Sequence, residues 1–255
     1  MKNYHSYKRK LDQVAEIHSY EAGFNGKMAK YRIWRLAQTI SNIKRKEWAL
    51  EIGCGEGTLT LWLATKFKNV VAIEPAKKFY EYTKIKIEKN KIYNVVIKPF
   101  LLEEFTPSIK FDCIIATGVL EHVIDPSCFL KKVYDCMHEN SYFLLTVPNA
   151  TSLHRRLGKR MGLIKDLFEL GPLDYKVGHY RYYDFSSLRN ELETNGFQIL
   201  EMKGILLKPL PNEIMISFDE SYCDALFYLG DELPEYCAEI YCCCKKVVCN
   251  DVSEE

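Results

Sequence analysis

The segment Trp48–Gly57, WALEIGCGEG, decides the fold. A short apolar run ends on Glu51 and then breaks into Gly53, Cys54, Gly55, Glu56 and Gly57. Glycines at alternate positions remove side chains where the backbone turns sharply from a strand into a helix, and they leave bare main chain that a ligand can approach closely. Such a surface suits a nucleotide-like cofactor. The dinucleotide fingerprint spaces its glycines as Gly-x-Gly-x-x-Gly, with a pyrophosphate on the helix N-terminus; here the third glycine arrives one residue early.

Outward from this turn, short apolar runs alternate with helical patterns, the mark of a parallel sheet covered on both faces. A helix is predicted from Thr58 to about Phe67, and a strand from Asn69 to Ile73 that ends on Glu74 and is stopped by Pro75. Further strands are predicted over Asn94–Lys98, over Phe111–Thr117 (FDCIIAT), which leads into Gly118–Val123, and over Tyr142–Val147, ended by Pro148 and Asn149. Asp184 reads as the N-cap of a helix that stops at Asn195–Gly196, and Gly196–Met202 and Ile240–Val248 read as two last strands. The stretch Pro209–Pro234 has a mixed helical pattern. Upstream, residues 1–46 form two helices separated by a break at Ala22–Gly26. The tail from Asn250 is polar and expected to fray. Glu74, seventeen positions beyond Gly57, stands where a carboxylate can accept both ribose hydroxyls of a bound nucleoside.

Three features, the acid-x-Gly-x-Gly-x-Gly turn, the strand ending on Glu74, and FDCI followed by VLEH, together resemble the class I S-adenosylmethionine (SAM) methyltransferases. Within that class they resemble the ubiquinone-biosynthesis-like group that acts on small molecules. The resemblance covers about residues 48–150 and implies a Rossmann-like α/β fold: a seven-stranded sheet, mostly parallel with its last strand antiparallel, and helices on both faces. It implies one methyltransferase domain over residues 1–255. That domain would comprise a helical lid (1–46), a SAM-binding core (47–150), a substrate-binding insertion (151–183) and the C-terminal part of the sheet (184–255). SAM, leaving as S-adenosylhomocysteine, would meet Glu51, Gly53, Gly55, Gly57, Glu74, Pro75, Leu101, Thr117 and Leu120. Many relatives place an acid after the third strand to hold the adenine amino group. Phe100 and Leu101 stand there instead, leaving backbone groups near Leu101, with packing from Leu102, as the substitute. Tyr4, Tyr7, His18 and Tyr20 are candidate lid residues or ordinary surface aromatics.

Composition narrows the partners. At 255 residues, 47% apolar and 27% charged, the chain can bury a full core as one soluble globular domain, and its net charge of +1 gives no global footprint for nucleic acid or an anionic membrane. The N-terminus lacks an apolar run behind its positive charge, so a cytoplasmic protein, monomeric or homodimeric, is expected. Ten cysteines are present, but without paired CxxC spacing. EIYCCCKKVV reads as a buried strand, and no metal site is expected. The turn after the fourth strand is not the Asn-Pro-Pro-Tyr type used on flipped nucleobases, which argues against nucleic acid as substrate.

The loops after strands one, two, four and five face one crevice in such a sheet. The insertion entering it carries Arg155, Arg156, Lys159, Arg160, Lys165, Lys176 and Arg181 against Asp166, Glu169 and Asp174. SLHRRLGKRMG also fits a solvated amphipathic helix, but an arginine-lined pocket would hold phosphate or carboxylate oxygens. Arg155, Arg156 and Arg181 are the candidates for charge. Asn149, His154 and Tyr183 are further wall residues, and His179 with Tyr182 supplies hydrogen bonds. Methyl transfer from a sulfonium is an in-line displacement dominated by alignment. An ionised acceptor oxygen needs no base, whereas a hydroxyl or ammonium does, and His179 or His122 would then take the proton. His122, which in VLEH opens the predicted helix after strand four, could equally be a packed structural histidine, and Glu121 beside it could orient substrate or favour that helix N-terminus. The leading expectation is methylation of an oxygen on a small anionic metabolite, phosphate-, phosphoramidate- or phosphonate-like. SLHRRLG, GHYRYYD and KPLPN resemble sugar- and capsule-pathway methyltransferases. Rival readings are O- or N-methylation of a sugar or quinone-like ring through a histidine base, a dehydrogenase, and a SAM-binding module without turnover.

Overall fold

The computed structural model describes residues 4–247. Two helices, α1 (Tyr4–Ile17) and α2 (Gly23–Asn42), precede β1 (Trp48–Ile52), α3 (Thr58–Leu63), β2 (Asn69–Ile73), α4 (Lys77–Lys89) and β3 (Val95–Lys98). Then follow β4 (Phe111–Thr117), α5 (Pro126–Cys136), β5 (Met137–Pro148), α6 (Leu153–Arg160), α7 (Pro172–Val177) and α8 (Phe185–Thr194). The chain continues through β6 (Phe197–Ile205), α9 (Asn212–Met215), α10 (Glu220–Leu229) and β7 (Glu239–Lys246).

The strands form one seven-stranded sheet in the order β3-β2-β1-β4-β5-β7-β6. All pairs are parallel except those of β7, which runs antiparallel to both β5 and β6. Alternate residues of each strand feed two cores. Leu50, Ile114 and Leu145 pack with Phe129 of α5 and Leu188 of α8, while Ala49, Ile115 and Leu144 pack with Leu36 and Ile40 of α2 and Phe227 of α10. Burial on both faces explains why β4 reads as an apolar run from Cys113 to Ala116, and each fully buried Leu, Ile or Phe contributes about 1.5–3 kcal/mol. EIYCCCKK is β7 itself, with Cys242, Cys243 and Cys244 buried in it.

Two expectations change, and the mixed helical stretch resolves into two helices. VLEH does not open a helix: Gly118–Ile124 is a turn, with His122 N–H donating to Val119 at 2.9 Å, and α5 starts only at Pro126, where Asp125 caps Cys128 N–H at 3.0 Å. Pro209–Pro234 holds α9 and α10. The first helix after the glycine turn ends at Leu63 rather than near Phe67. Val248, Cys249 and the polar tail lie outside the described residues.

The strand order reverses between β1 and β4, so the loops leaving their carboxyl ends diverge and open a crevice there.

Candidate active site

The crevice has a volume of about 500 Å³ and runs from the glycine turn to the 174–182 segment and Lys208. At its cofactor end, Gly53 N–H donates to Ile73 O at 2.9 Å, and Gly55 and Gly57 follow with φ of +52° and +84°. These conformations suit glycine, and a Cβ on Gly57 would sit 2.7 Å from Thr83 Cγ2. Thr83 also donates to Gly55 O at 2.7 Å, fixing the turn.

Glu74 accepts from Gly55 N–H through Oε2 and from Ala76 N–H through Oε1, each at 2.9 Å. Burial pushes its pKa up to about 7, against the pull of those two amides. Each carboxylate oxygen retains a lone pair, so two hydroxyls can still be accepted. Glu51, beneath the turn, is held at 2.6 Å by Thr60 Oγ1 and raised to about 8 by burial. Glu51, Pro75, Leu101 and Thr117 line the crevice, whereas Leu120 does not and is buried in the core behind it. The Leu101 N–H donates to the Glu104 carboxylate at 3.0 Å and its carbonyl accepts from Glu104 N–H at 3.1 Å, so of that residue's backbone one carbonyl lone pair is left for a ligand.

The N-terminal segment closes over this end. The Glu56 carboxylate accepts from Ser19 Oγ at 2.9 Å and from the N–H groups of Tyr20 and Glu21 at 2.7 and 2.8 Å. Tyr20 thereby lies on Gly55, its Cδ2 3.1 Å from where a Cβ would be, and tilts against Phe79. Tyr7 Oη donates to His122 O at 2.8 Å, tying α1 to the VLEH turn. Tyr7, His18 and Tyr20 all line the crevice.

At the other end, Glu121, His122, Asp174, His179 and Tyr182 converge. Asp174 Oδ1 meets His179 Nδ1 at 3.1 Å and accepts from Tyr182 Oη at 2.8 Å, while Oδ2 accepts from Gly171 N–H at 2.7 Å. Burial works upward on Asp174, yet these hydrogen bonds hold it below the usual carboxylate range. The His122 and His179 rings meet edge to face, 4.7 Å apart. Burial lowers His122 to about 3, helped by the neighbouring His179, and raises Glu121 to about 7. Burial likewise pushes up the Tyr182 hydroxyl.

The arginines divide. Arg155 lines the crevice, its guanidinium 3.9 Å from the centre of the Tyr182 ring and hydrogen-bonded to Leu167 O and Glu169 O. Arg156 donates to Thr151 O at 2.6 Å and lies over Tyr236, and Arg181 donates to the carbonyls of Leu120, Val123 and Ile124. Neither lines the crevice; both brace loops. His154 and Asn149 do line it, but Asn149 spends its amide on Glu235 O, Cys237 O and Thr151. Tyr183 is buried in the core, bridged to Asn149.

Two cations escape a reading by local charge. Lys208 reaches the crevice from the segment after β6, where Leu206 has a φ of +58°; it donates to Asn212 Oδ1 at 2.7 Å and is lowered to about 8 by burial. Arg32 of α2 lines the same wall, paired with Glu239 at 2.8 and 2.5 Å. Its only signal in the sequence is that Asn25, Ala29 and Arg32 share a helical face.

A sheet with this strand order, an antiparallel β7 and a glycine turn at the switch point defines a SAM-dependent methyltransferase of class I. Residues 25–202 match the family model described as "Methyltransferase domain", and the chain belongs to that family. It is 24% identical over 214 residues to the ubiquinone biosynthesis O-methyltransferase of Rickettsia felis, covering 83% of this chain and 84% of that one. It is 32% identical over 111 residues to N-methyltransferase 4 of Papaver somniferum, which is 42% of this chain but only 31% of that protein's length. The phosphoethanolamine N-methyltransferase 2 of Haemonchus contortus, solved with S-adenosyl-L-methionine, is similar in fold, with a TM-score of 0.62 at 14% identity over 86% of this chain and 53% of that one. Family membership removes the dehydrogenase reading. No helix among the described residues is long and apolar enough to cross a membrane.

Proposed function

We propose that the crevice binds SAM against the glycine turn and Glu74, and transfers its methyl group to a hydroxyl oxygen of a small acceptor that carries an anionic group. The observation that carries this reading is one continuous cavity joining Glu74 to the Asp174–His179 pair and Lys208. In it the ribose hydroxyls donate to the open lone pairs of Glu74, and Tyr20 covers the glycine turn at Gly55.

Asp174 holds His179 through Nδ1, which leaves Nε2 to receive the acceptor's proton as the methyl group moves from sulfur to oxygen. An oriented base has no work to do on an oxygen already ionised, so the methylated atom is a hydroxyl and the anionic charge lies elsewhere on the acceptor. Lys208 and Arg155 receive that charge, as a phosphate or carboxylate, in place of Arg156 and Arg181. Two cations beside the acceptor also disfavour a cationic ammonium, which favours oxygen over nitrogen. A capsule or surface-polysaccharide role draws no support from the relatives, and the reading is confined to this acceptor chemistry.

The test is transfer of labelled methyl from SAM into an extract of the source cells, separated into small-molecule and macromolecular fractions. Label is expected in a small molecule retained on an anion exchanger. Label confined to protein or RNA would overturn the reading.

A further inference from the structure

The segment that walls the cofactor end is held by polar bonds more than by core packing. In α1 just Val14 and Ala15 are buried, and Ile17 at its end is 55% exposed. Ala15 belongs to a small cluster with Ala76 and Phe79, against which Leu11 and Tyr20 pack, apart from the two cores that enclose the sheet. α2, by contrast, sends Phe24, Met28, Tyr31, Leu36 and Ile40 into one of those cores. A segment with so little buried apolar contact can open while the sheet stays folded. Gly23, at a φ of +59°, stands where the loosely packed part meets the firmly packed one.

The group that closes this segment is Glu56. Its carboxylate gathers donors from three consecutive residues: Ser19 Oγ at 3.0 Å to Oε1 and 2.9 Å to Oε2, and the N–H groups of Tyr20 and Glu21 at 2.7 and 2.8 Å to Oε2. Hydrogen bonds to a carboxylate are roughly twice as strong as neutral ones, and successive N–H groups turned the same way form an anion cradle. The anion here is a side chain of the glycine turn itself. A second clasp runs the other way, with the Glu21 carboxylate accepting from Thr58 Oγ1 and Lys86 Nζ, while Lys86 also donates to Glu56 O at 3.0 Å. Tyr20 is thereby fixed on Gly55, with the His18 ring edge-on 4.7 Å away. The turn does not need an acid at position 56 for its own conformation, because Glu74 and Thr83 already hold Gly55.

We propose that Glu56 is a positioning residue: by holding Ser19–Glu21 it keeps Tyr20 over the glycine turn, and so sets how fast SAM enters and how fast SAM or S-adenosylhomocysteine leaves. Exchange then requires the Glu56 bonds to break, which is a local opening with no change in the sheet. The inference rests on the reading that SAM occupies the glycine-turn end, and adds to it the group that governs exchange there. The role is hidden in the sequence because Glu56 and Ser19 are far apart in the chain and meet only in the fold.

Binding and release of tritiated SAM by the whole protein are followed by rapid filtration, beside urea unfolding and chymotryptic cleavage after Tyr20 or Phe24 without ligand. Glu56→Gln keeps the size of the side chain but puts a donor where an acceptor is needed. It should raise the off-rate about tenfold or more, with an on-rate equal to or faster than the wild type's, speed cleavage several-fold and leave the urea midpoint unchanged. Ser19→Ala, which removes one donor, should raise the off-rate about threefold. Arg156→Gln, outside the crevice, should behave as the wild type does. A wild-type off-rate in Glu56→Gln, a slower on-rate, or a urea midpoint that falls with it would overturn the latch; should that variant not fold, a wild-type off-rate in Ser19→Ala would do so. SAM binding with an unchanged off-rate sinks the latch alone, whereas wild-type protein that binds no SAM sinks the cofactor reading and the latch with it.

Discussion

The two ends of the crevice are built differently. The cofactor end comes from one compact segment: Glu51 to Gly57 turns at the end of β1, and Glu74 at the end of the neighbouring β2 reaches back 2.9 Å to Gly55. The acceptor end is assembled from α2, the VLEH turn, the segment around α7 and the kinked stretch after β6, which are far apart in the chain. A site made of adjacent strand ends is fixed by the sheet, whereas one made of four separate segments is fixed by the hydrogen bonds among them. Damage to the first should therefore abolish cofactor binding. Damage to the second should alter acceptor handling and leave the cofactor in place.

The largest expected effect lies at Gly57. Its φ of +84° is strained for any branched residue, and a Cβ would strike Thr83. Gly57→Val is expected to cost about 3 kcal/mol or more in urea unfolding and to remove measurable SAM binding. Near wild-type stability and binding would show that the turn is softer than its geometry implies.

Next comes Asp174→Asn. His179 loses its oriented partner, so turnover should fall about 10- to 100-fold while SAM affinity, read by calorimetry, changes by less than about twofold. A loss confined to SAM affinity would mean that the two ends are not separable.

Lys208 gives a smaller effect with a pH signature. Burial lowers its pKa to about 8, so the ammonium that holds the anion is present below that pH and lost above it. Acceptor KM is expected to rise several-fold between about pH 7 and 9 in the wild type. Lys208→Met should raise KM about tenfold at pH 7 and flatten the rise. The sign for stability is separate: a lysine lowered on folding penalises the fold most below about pH 8, and that penalty is relieved as pH rises toward the unfolded value. Smallest of all, Arg156→Gln should shift acceptor KM by less than about twofold, because its guanidinium faces Thr151 O and Tyr236.

The same contrast explains what could be read without coordinates. β1, β2 and β4 were legible because burial on both faces makes them mostly apolar, and Gly53, Gly55, Gly57 and Glu74 because their conformation and position follow from the strand ends. The basic insertion was legible as charge but not as direction. Arg156 and Arg181 turn onto backbone carbonyls, while Lys208 enters the crevice through a left-handed Leu206, a conformation that a leucine side chain does not announce. Helical periodicity predicted a second N-terminal helix, which in the structure already starts at Gly23 inside the expected break, yet could not single out Arg32, whose partner Glu239 lies at the start of β7. Glu121 and His122 were read as the opening of a helix because an acid after a strand favours a helix N-terminus; they lie instead in a turn that begins at Gly118, at a φ of +63°.

The separation of the two ends is tested most directly by calorimetric titration of SAM into the wild type, Glu74→Ala and Lys208→Met at one pH. Removing the Glu74 carboxylate would delete the two hydrogen bonds proposed for the ribose, so affinity should fall about a hundredfold or more, while Lys208→Met should bind SAM within about twofold of the wild type. Equal affinity in all three proteins, or a loss in Lys208→Met as large as that in Glu74→Ala, would contradict the division of the crevice into a cofactor end and an acceptor end.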